Sequence, residues 1–396
     1  MKVLLSAYAC HPAVGSEPGV GFETLLAVAA EHEVWVLTRQ KNAEDLSESL
    51  AAHPYFTRIH LVGLDLSRGK LAMKKKLGPV GLQIYYDRWQ REASEVGAKL
   101  HREVHFDVAH HITFSADWSR AGIALVDAPF VWGPIGGGVQ TPRSLLPSLG
   151  WRGVGAEVGR RMGRWLLRRR RWYRRAWRTA RVVLVQNHET VKLGPEGMIG
   201  QVLPNSTALS PPRLQAGNHR TNEVVVVGRL IPWKGGLLAL EAFSRLDHQD
   251  SSLIFIGEGP EQARLAAAAR RLGIERKVRF EGSLPRAEVL ERVARAGVFL
   301  HMAVHEENSM AVGEALSLGT PVVCLDWGGP AELIRQWPMS PGRAVPVKKA
   351  RETTMGAAKA IDEFLRNPPP IPPEPLLPRI RYAPSLMEAY ERAIST

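Results

Sequence analysis

The chain has 396 residues, of which 45% are hydrophobic and 23% are charged. These values lie close to the averages of globular proteins, and they exclude a disordered chain and a coiled coil. At about 150 residues per domain, the length predicts two domains with a sizeable core each. The net charge is +13, and most of it lies between Arg152 and Arg181, where twelve arginines accompany one acid, Glu157. This distribution predicts one local basic contact surface and argues against a protein that coats a polyanion.

Only two cysteines occur, Cys10 and Cys324. Such sparse use gives neither a disulfide framework nor a metal cage, and it favours a reducing cytoplasm. The residues before Cys10 resemble a short secretory signal, but the apolar run is brief and leads into a glycine-rich turn, as a first buried strand would. No stretch of the sequence approaches the ~18 uninterrupted apolar residues of a membrane span. We therefore expect a cytoplasmic protein.

Short β-rich runs alternate with amphipathic helical patterns along the whole chain. In the first half these runs lie at residues 2–9, 34–38, 58–62, 108–112, 130–132 and 182–186. After a polar, proline-bearing stretch the series restarts, with runs at 224–227, 252–256, 278–280, 298–301 and 321–325. Apolar strands separated by amphipathic helices predict parallel sheets covered on both faces. The predicted fold class is therefore α/β, with two Rossmann-like doubly wound domains that face each other across a cleft.

The boundaries of these domains follow from the same patterns. We assign residues 1–207 to the N-terminal domain, 208–222 to a linker and 223–378 to the C-terminal domain. The latter ends in a segment with seven prolines, which is typical of an extended spacer. Residues 379–396 form a last helix that we expect to return to the first domain. Ser385, with Glu388 three residues later, predicts a capping box at its start.

Two segments of the second half carry candidate chemistry. The strand at 224–227 runs into Gly228-Arg229-Leu230, followed by Lys234. A glycine at a strand end lets the backbone approach a ligand, and an arginine and a lysine five residues apart can bracket one diphosphate. A solvated loop with incidental cations is the alternative.

The second segment extends from His305 to Leu316 and opens a helix near Ser309. Amide groups at a helix start favour an anionic phosphate. Glu306 lies before this helix and Glu314 within it, so the former can reach a sugar ring and the latter can accept hydrogen bonds from a ribose. Two glutamates eight residues apart also occur by chance, and the spacing alone is weak evidence.

The order of the motifs closely resembles GT-B glycosyltransferases of family 4, which retain the configuration of the transferred sugar. The resemblance covers nearly all of the second domain, and it rests on Gly228-Arg229-Leu230 with Lys234, Gly257-Glu258-Gly259-Pro260, Phe280-Glu281-Gly282, Glu306-x7-Glu314-Ala315, and Gly319-x-Pro321-Val322-Val323 with Gly328-Gly329. It implies that Arg229 and Lys234 bind the donor diphosphate. It further implies that Glu306 contacts the transferred sugar and that Glu314 holds the ribose.

The same resemblance extends the predicted donor site. The further residues that it implies for binding of the nucleotide sugar are Gly228, Gly257, Leu284 (near the base), Asn308, Ser309 and Met310. Many relatives have glycine directly after the first glutamate, whereas this chain has Glu307 and then Asn308. An acid there narrows the sugar pocket or repels the diphosphate, so the identity of the sugar stays open.

The first half also carries loops similar to those of the family. A glycine-rich turn follows the first strand, and it lacks the lysine of a Walker loop, which argues against an ATPase. The residues predicted on the acceptor side are Gly15, Ser16, Glu17 and Gly19 from this turn, together with Gly136 and Gly137 from a second glycine run. Plain turn chemistry is the alternative for both loops.

His110 and His111 are adjacent at the end of a predicted strand, so alternation points them to opposite sides. A family histidine at about this point approaches the transferred sugar. We therefore predict that one of the two is catalytic, together with Glu306, Arg229 and Lys234. Which of the two histidines faces the ligand is left open, and its neighbour is expected to be a buried, hydrogen-bonded histidine.

The spacing of apolar residues in the arginine-rich segment is typical of one amphipathic helix, at ~100° per residue. Its apolar residues from Met162 to Ala180 fall within an arc of ~140°, and most arginines lie opposite. This pattern predicts a patch for an anionic membrane surface that consists of Arg168, Arg169, Arg170, Arg171, Trp172, Arg174 and Arg175. A smaller group extends it, namely Arg68, Lys70, Lys74, Lys75 and Lys76. The alternative is that the apolar arc packs on its own domain.

Together these observations predict an enzyme at the inner face of the membrane, peripheral to it. It moves a hexose-type sugar from a nucleotide-diphosphate donor to a hydroxyl of a lipid-linked glycan or surface polysaccharide. No Asp-x-Asp sequence occurs, so we expect no required metal. We also expect no cofactor and no nucleic-acid partner. The alternatives are a GT-B sugar-nucleotide epimerase or hydrolase, and a nucleic-acid-binding protein that uses the Arg/Trp-rich segment. The sugar, the base, the acceptor and the oligomeric state are left open.

Overall fold

Apolar runs rich in valine, isoleucine and leucine form two parallel sheets in the structure, a computed structural model that describes residues 1–12, 16–67, 69, 76–195, 200–207 and 219–395. Two units of the chain hold one sheet each. Unit 1 comprises Met1–Gly138, Gly163–Leu209 and Arg381–Thr396, and unit 2 comprises Val139–Met162 and Ser210–Ile380. The predicted α/β class with two doubly wound, parallel-sheet domains is confirmed.

The sheet of unit 1 has the order β3-β2-β1-β4-β5-β6-β7, and all its neighbouring strands are parallel. These strands are β1 Lys2–Ala7, β2 Glu33–Thr38, β3 Ile59–Gly63, β4 Val108–Ile112, β5 Phe130–Ile135, β6 Ala180–Val185 and β7 Gly200–Val202. The strand order reverses between β1 and β4. Ligands of such sheets bind beyond the carboxyl ends of the strands at this kind of switch point.

The sheet of unit 2 has the order β10-β9-β8-β11-β12-β13 and is also parallel. Its strands are β8 Glu223–Val227, β9 Ser252–Ile256, β10 Val278–Phe280, β11 Val298–His301, β12 Val322–Leu325 and β13 Gly342–Val345. Val224 and Val226 enter the core on one face of this sheet, and Val225 enters the core on the other. Both faces are thus covered, and the switch point lies between β8 and β11.

The helices pack on these faces and connect the strands. They are α1 Glu17–Glu31, α2 Gln40–Leu50, α3 Gly78–Val104, α4 Gly150–Arg168, α5 Arg171–Thr179, α6 His188–Val191, α7 Gly236–Phe243, α8 Gln262–Arg271, α9 Arg286–Arg295, α10 Met310–Ser317, α11 Gly328–Gln336, α12 Ala350–Arg366 and α13 Tyr382–Ser395. Short 3-10 turns occur at Phe56–Arg58, Gly122–Leu125, Arg143–Leu149, Asn205–Thr207, Pro232–Lys234 and Glu275–Lys277. Within the described ranges, no helix combines the length and the apolar character that crossing a bilayer requires.

The unit boundaries differ from the predicted domain boundaries at one place. Residues 139–162 belong with unit 2, whereas the sequence analysis assigned everything up to residue 207 to the first domain. The reason is burial, because Leu145 and Leu149 are fully buried in the core of unit 2. The predicted linker at 208–222 lies outside the described residues up to position 218.

The last helix is part of unit 1, where two of its tyrosines contact α1 and β4. The hydroxyl group of Tyr382 lies 2.8 Å from Thr24 Oγ1, and that of Tyr390 lies 2.8 Å from His110 Nδ1. The capping box predicted at Ser385 is wrong, since the helix begins at Tyr382 and the Ser385 amide already donates a hydrogen bond to the Arg381 carbonyl oxygen.

The arginine-rich segment is two helices, α4 and α5, and the prediction of one continuous helix is wrong. Arg170 has an extended backbone between them and caps α5. Ala176 and Trp177 of α5 are buried in the core of unit 1, while Trp165 and Leu166 of α4 remain more than half exposed. The two helices therefore direct their apolar side chains differently.

Candidate functional site

The loops that follow β8 and β9 in unit 2 approach each other through glycine. Gly228 and Gly257 have φ values of +142° and +133°, in the region that favours glycine. A Cβ atom on Gly257 would lie 2.2 Å from the carbonyl oxygen of Gly228. Close packing of the two loops therefore requires glycine at position 257, and the positive φ favours glycine at position 228.

The loop after β8 and the loop after β11 meet at an ion pair. Lys234 ends a 3-10 turn, and its ammonium group donates a hydrogen bond to Glu306 Oε2. His301, the last residue of β11, places its Nε2 atom 3.7 Å from the same oxygen. Gly228, Arg229, Lys234 and His301 line one pocket. The structure thus brings together four predicted donor residues and one histidine that the sequence analysis did not single out.

Electrostatics keep Glu306 ionised in this cluster. Burial alone raises the pKa of its carboxyl group, but the adjacent His301 and the charge of Lys234 outweigh burial and lower the pKa to about 2. Burial also lowers the pKa of His301, so its imidazole is neutral at pH 7. The site therefore combines a carboxylate, an ammonium group and a neutral imidazole.

Arg229 differs from Lys234 in its surroundings. Its side chain is exposed, and within the described part of the chain no carboxylate forms an ion pair with it. Its guanidinium group retains its donors for an anion that enters the pocket.

The amino end of α10 follows β11 and the loop that holds Glu306. Ser309 caps this helix, because its hydroxyl oxygen accepts a hydrogen bond from the Val312 amide at 3.4 Å. Met310 is the first helical residue, and Asn308 is partly buried in front of it. The predicted helix start is therefore confirmed within one residue.

Glu314 has a partner that the sequence analysis did not identify. Arg286 of α9 donates to Glu314 Oε1 at 3.2 Å through Nε and at 2.5 Å through Nη2. Leu284, predicted near the base, is partly buried against the apolar core of unit 2. Glu307 directs its carboxylate to the backbone, where Oε2 lies 3.4 Å from the amide nitrogen of Val139.

Both predicted histidines of unit 1 are buried at the end of β4. His110 uses both ring nitrogens, with Nδ1 at 2.8 Å from the Tyr390 hydroxyl and Nε2 at 2.7 Å from the Gly133 carbonyl oxygen. His111 Nε2 lies 3.2 Å from the Tyr86 hydroxyl, and its Nδ1 atom has no hydrogen-bond partner among the described residues. Burial lowers the pKa of His110 to about 4 and that of His111 to about 3. Both imidazoles are neutral at pH 7, and only His111 retains an unused nitrogen.

The predicted acceptor-side residues have different surroundings. Gly15 lies outside the described residues, Ser16 is exposed at the start of α1, and Gly19 is buried within α1. Glu17 Oε2 accepts a hydrogen bond from the Phe114 amide at 2.9 Å, and burial raises the pKa of this carboxyl group. Glu17 thus fixes the backbone that follows β4.

The glycines of the second run also have structural contacts, in this case with Asp117. Gly136 accepts a hydrogen bond from the Asp117 amide at 2.8 Å. Gly137 has a φ of +134°, and a Cβ atom there would lie 1.7 Å from Asp117 Oδ1. The structure accounts for Gly137 through its packing beside Asp117, whereas Gly136 contributes a backbone carbonyl to the same residue.

Arg168 does not belong to an exposed patch, which corrects the prediction. Its Nε atom donates to Asp117 Oδ2 at 2.6 Å and its Nη2 atom donates to the Gly137 carbonyl oxygen at 2.9 Å. The reason is that Asp117 is fully buried and needs a cation to offset the cost of burying its charge.

The other members of the predicted membrane patch are placed as follows. The exposed arginines are Arg169, Arg170, Arg171, Arg174 and Arg175. Trp172 is partly buried, with the Arg120 guanidinium carbon 5.5 Å from its ring centroid. Lys76 is exposed, and Arg68, Lys70, Lys74 and Lys75 lie outside the described residues.

Comparison with known proteins finds relatives of the segment that contains the donor-site loops of unit 2. Residues 214–376 match the model of the family described as glycosyl transferases group 1. A curated relative, the putative teichuronic acid biosynthesis glycosyltransferase TuaC of Bacillus subtilis (strain 168), is 32% identical over 180 residues, which are 41% of this chain and 42% of that protein. The chain spans less than half the length of the curated relatives it matches.

Solved structures extend the likeness to the fold of nearly the whole chain. The apo form of the lipopolysaccharide outer core galactosyltransferase WaaB has a TM-score of 0.59 at 14% identity, over 98% of this chain and 99% of that chain. Anabaena Alr3699/HepE in complex with UDP-glucose has a TM-score of 0.51 at 15% identity, over 100% of both chains. Residues 214–376 are therefore similar to the glycosyl transferases group 1 family, and the two parallel-sheet units have the fold of GT-B glycosyltransferases.

Proposed function

We propose that the protein is a retaining glycosyltransferase that moves a hexose-type sugar from a nucleotide-diphosphate donor to a hydroxyl group of a glycan acceptor. The observation that carries this proposal is the cluster of Arg229, Lys234 and Glu306 beyond the carboxyl ends of β8 and β11. Two cations and one ionised carboxylate at a switch point match the groups of a sugar diphosphate. The group 1 family match over the same residues supports it.

In this proposal, Lys234 and Arg229 bind the diphosphate of the donor. Lys234 gives one hydrogen bond to Glu306, and its ammonium group has two further N–H donors for a phosphate oxygen. Arg229 offers a planar fork that suits a phosphate. Amide groups at the amino end of α10 add a third source of positive potential. These groups supply the charge that a metal would otherwise provide, so we propose transfer without a metal or cofactor.

The sugar is assigned to Glu306. Its carboxylate is ionised at neutral pH and partly exposed, so it can accept a hydrogen bond from a sugar hydroxyl. Glu314 is assigned to the ribose, with Arg286 holding the orientation of its carboxylate. In unit 1, His111 is preferred over His110 as the catalytic candidate, because its Nδ1 atom is unused.

The reaction proposed is substitution with retention. The bond between the anomeric carbon and the diphosphate oxygen breaks, and its electron pair leaves with the diphosphate. The acceptor oxygen bonds to the same face of the oxocarbenium-like sugar, and its proton passes to the leaving phosphate. Arg229, Lys234 and the α10 amides gain strength as charge develops on the leaving group, which is where electrostatic stabilisation accelerates a reaction most.

The acceptor is proposed to be a lipid-linked glycan or a surface polysaccharide, with the protein peripheral at the inner face of the membrane. The support is the surface of unit 1 around α4 and α5. Trp165 and Leu166 are 53% and 55% exposed there, next to the five exposed arginines of the patch. Amphipathic tryptophan and arginine at one surface favour an anionic bilayer.

The test is a panel of nucleotide sugars with the full chain. Binding of a donor raises the midpoint of thermal unfolding, and donor turnover releases the nucleoside diphosphate. We expect Lys234→Met and Glu306→Gln to lower turnover by at least about 100-fold, as removal of a group that stabilises the transition state does. Lys359→Met, an exposed lysine of α12, is the matched control and should retain full turnover.

Two results would contradict the proposal. If no donor in the panel raises the unfolding midpoint, the pocket is not a nucleotide-sugar site. If the donor is consumed with no glycan product for any acceptor, the hydrolase or epimerase alternative holds instead.

A further inference from the structure

A pocket at the carboxyl ends of β1, β2 and β4 in unit 1 is not accounted for by the motifs of the sequence. Its volume is about 640 Å³. Its lining includes Tyr8 and His11 after β1, Arg39 and Lys41 after β2, Leu82 of α3 and Phe114 after β4. It lies beside the switch point of the unit 1 sheet, where ligands of such sheets bind.

The inner wall of this pocket is aromatic and rigid. Tyr8 is 3% exposed, and its ring meets Phe114 edge to face with the ring centroids 5.3 Å apart. The ring centroids of Tyr86 and Trp89 each lie 5.2 Å from that of Tyr8, again with the rings nearly perpendicular. Phe114 is partly exposed at the end of this cluster. The Phe114 ring therefore offers an apolar surface to the pocket, and the aromatic rings packed against it hold it in position.

The backbone at Phe114 is held in an uncommon conformation. Thr113 and Phe114 have φ values of +61° and +51°, in the left-handed region that residues with a side chain rarely adopt. Two hydrogen bonds hold it, from the Phe114 amide to Glu17 Oε2 at 2.9 Å and from the Ala9 amide to Thr113 Oγ1 at 3.2 Å. Such strain persists where surrounding contacts enforce it, and it clusters at ligand sites.

The rim of the pocket is positively charged. The Arg39 guanidinium carbon lies 5.7 Å from the centroid of the Tyr8 ring. In the described ranges, neither Arg39 nor Lys41 forms an ion pair with a carboxylate. Asp45, the acid that lines the same pocket, lies 3.3 Å from His11 Nε2. The two cations of the rim are thus available to an anion.

We propose that this pocket binds an acceptor sugar that carries a negative charge, with the sugar ring on Phe114 and the anionic group at Arg39 and Lys41. This inference rests on the proposed function, since it names the class of acceptor for that transfer. A carboxylate and a phosphate on a sugar offer the same oxygen acceptors to these cations.

The test compares three methyl glycosides that differ at one carbon: methyl glucoside, methyl glucuronide and methyl glucoside 6-phosphate. Their dissociation constants with the full chain are measured by saturation-transfer NMR. We expect the two anionic compounds to bind at least about fivefold more tightly than methyl glucoside, as two partly exposed charge pairs provide. The tighter of the two anionic compounds identifies the anion.

Variants of the pocket measure separately what the charged rim and the Phe114 ring contribute to glycoside binding. Arg39→Met with Lys41→Met should abolish the preference for the anionic compounds, whereas Phe114→Leu should weaken all three. Lys99→Met, an exposed lysine of α3, is the matched control and should leave all three constants unchanged. Equal affinity for the neutral and anionic compounds in the wild type, or an unchanged preference in the double variant, would overturn the inference.

Donor binding distinguishes this inference from the proposed function. The double variant should bind nucleotide sugars as tightly as the wild type, because its changes lie in unit 1 and the donor residues lie in unit 2. If the wild type binds no nucleotide sugar, the glycosyltransferase proposal is refuted, but the proposal for this pocket is not. A persisting preference for the anionic glycosides in that same sample would still support the pocket.

Discussion

Lys234 and Glu306 are hydrogen-bonded although 72 residues separate them along the chain. Strand β8 leads to the first residue and β11 leads to the second, and these two strands are neighbours in the sheet of unit 2. The ion pair is therefore a direct consequence of strand order at the switch point. Because the pair forms only in the folded protein, the pKa of Glu306 changes when the chain folds.

This dependence predicts an acid-sensitive contribution to stability. Folding lowers the pKa of Glu306 from 4.5 to about 2, so its ionised form is stabilised in the native state. The contribution is fully present above pH 4.5 and is lost as the pH falls through about 2. We expect it to be on the order of 3 kcal/mol. Urea unfolding of the wild type between pH 2 and 5 should therefore show a steeper loss of stability than unfolding of Glu306→Gln.

Glu288→Gln provides the control for that comparison, because Glu288 is exposed on α9. The stability of the Glu288→Gln variant should decrease in parallel with that of the wild type as the pH is lowered. Identical pH profiles for the wild type and Glu306→Gln would contradict the ion pair.

A second prediction concerns the contact of α13 with β4. Tyr390→Phe removes a hydroxyl group that lies 2.8 Å from His110 Nδ1. His110 is fully buried, so the lost partner leaves a ring nitrogen without a hydrogen bond. We expect a loss of about 1–3 kcal/mol of unfolding free energy. Tyr55→Phe, in a partly exposed turn, should cost less than about 0.5 kcal/mol. Equal effects of the two substitutions would show that the buried hydrogen bond does not stabilise the native state.

The sequence was sufficient for the layout of the fold, because apolar strands alternate with amphipathic helices over the whole chain. It missed β7 and β13, which are short edge strands with little apolar character. It also placed the start of α13 at Ser385, since a capping pattern within a helix is indistinguishable from one at its start. Local patterns thus predicted the elements better than their ends.

The candidate donor site was predicted in part for the same reason. Gly228, Arg229, Lys234 and Glu306 lie in loops that directly follow strands, so strand order alone brings them together. His301 was missed because it is the last residue of an apolar strand, where a buried histidine of the core looks the same. Arg286 was missed because its contact with Glu314 joins two different helices.

Arg168 was misassigned because sequence spacing does not reveal a distant buried acid. This error leads to a third prediction. Arg168→Met leaves the carboxylate of Asp117 buried without its cation, which should cost about 3–5 kcal/mol. Adding Asp117→Asn to the same chain should recover part of that loss, because the uncompensated charge is removed. Arg169→Met, at the exposed neighbour, should change stability by less than about 0.5 kcal/mol. Guanidinium unfolding of the wild type and the three variants measures these differences, and equal stabilities of Arg168→Met and Arg169→Met would refute the assignment.

The last prediction concerns the exposed arginines of α4 and α5. Replacing Arg170, Arg171, Arg174 and Arg175 by serine should reduce binding to vesicles with an anionic lipid by roughly 100-fold or more, since each cation near such a surface contributes about 1 kcal/mol. Trp165→Ser should weaken binding further, because its ring is 53% exposed beside Arg169. The matched control replaces four exposed arginines of unit 2, Arg270, Arg271, Arg276 and Arg295, and should bind as the wild type does.

Vesicle sedimentation at two salt concentrations completes the measurement. Electrostatic attraction weakens as salt screens the surface charge, whereas insertion of Trp165 and Leu166 does not. We therefore expect binding of the wild type to fall with salt but to persist in part, and binding of the arginine variant to be weak at both concentrations. Equal losses in the variant and in its unit 2 control would mean that overall charge, and not this patch, attracts the membrane. Retention of the wild type on RNA but not on the vesicles would instead support the nucleic-acid alternative.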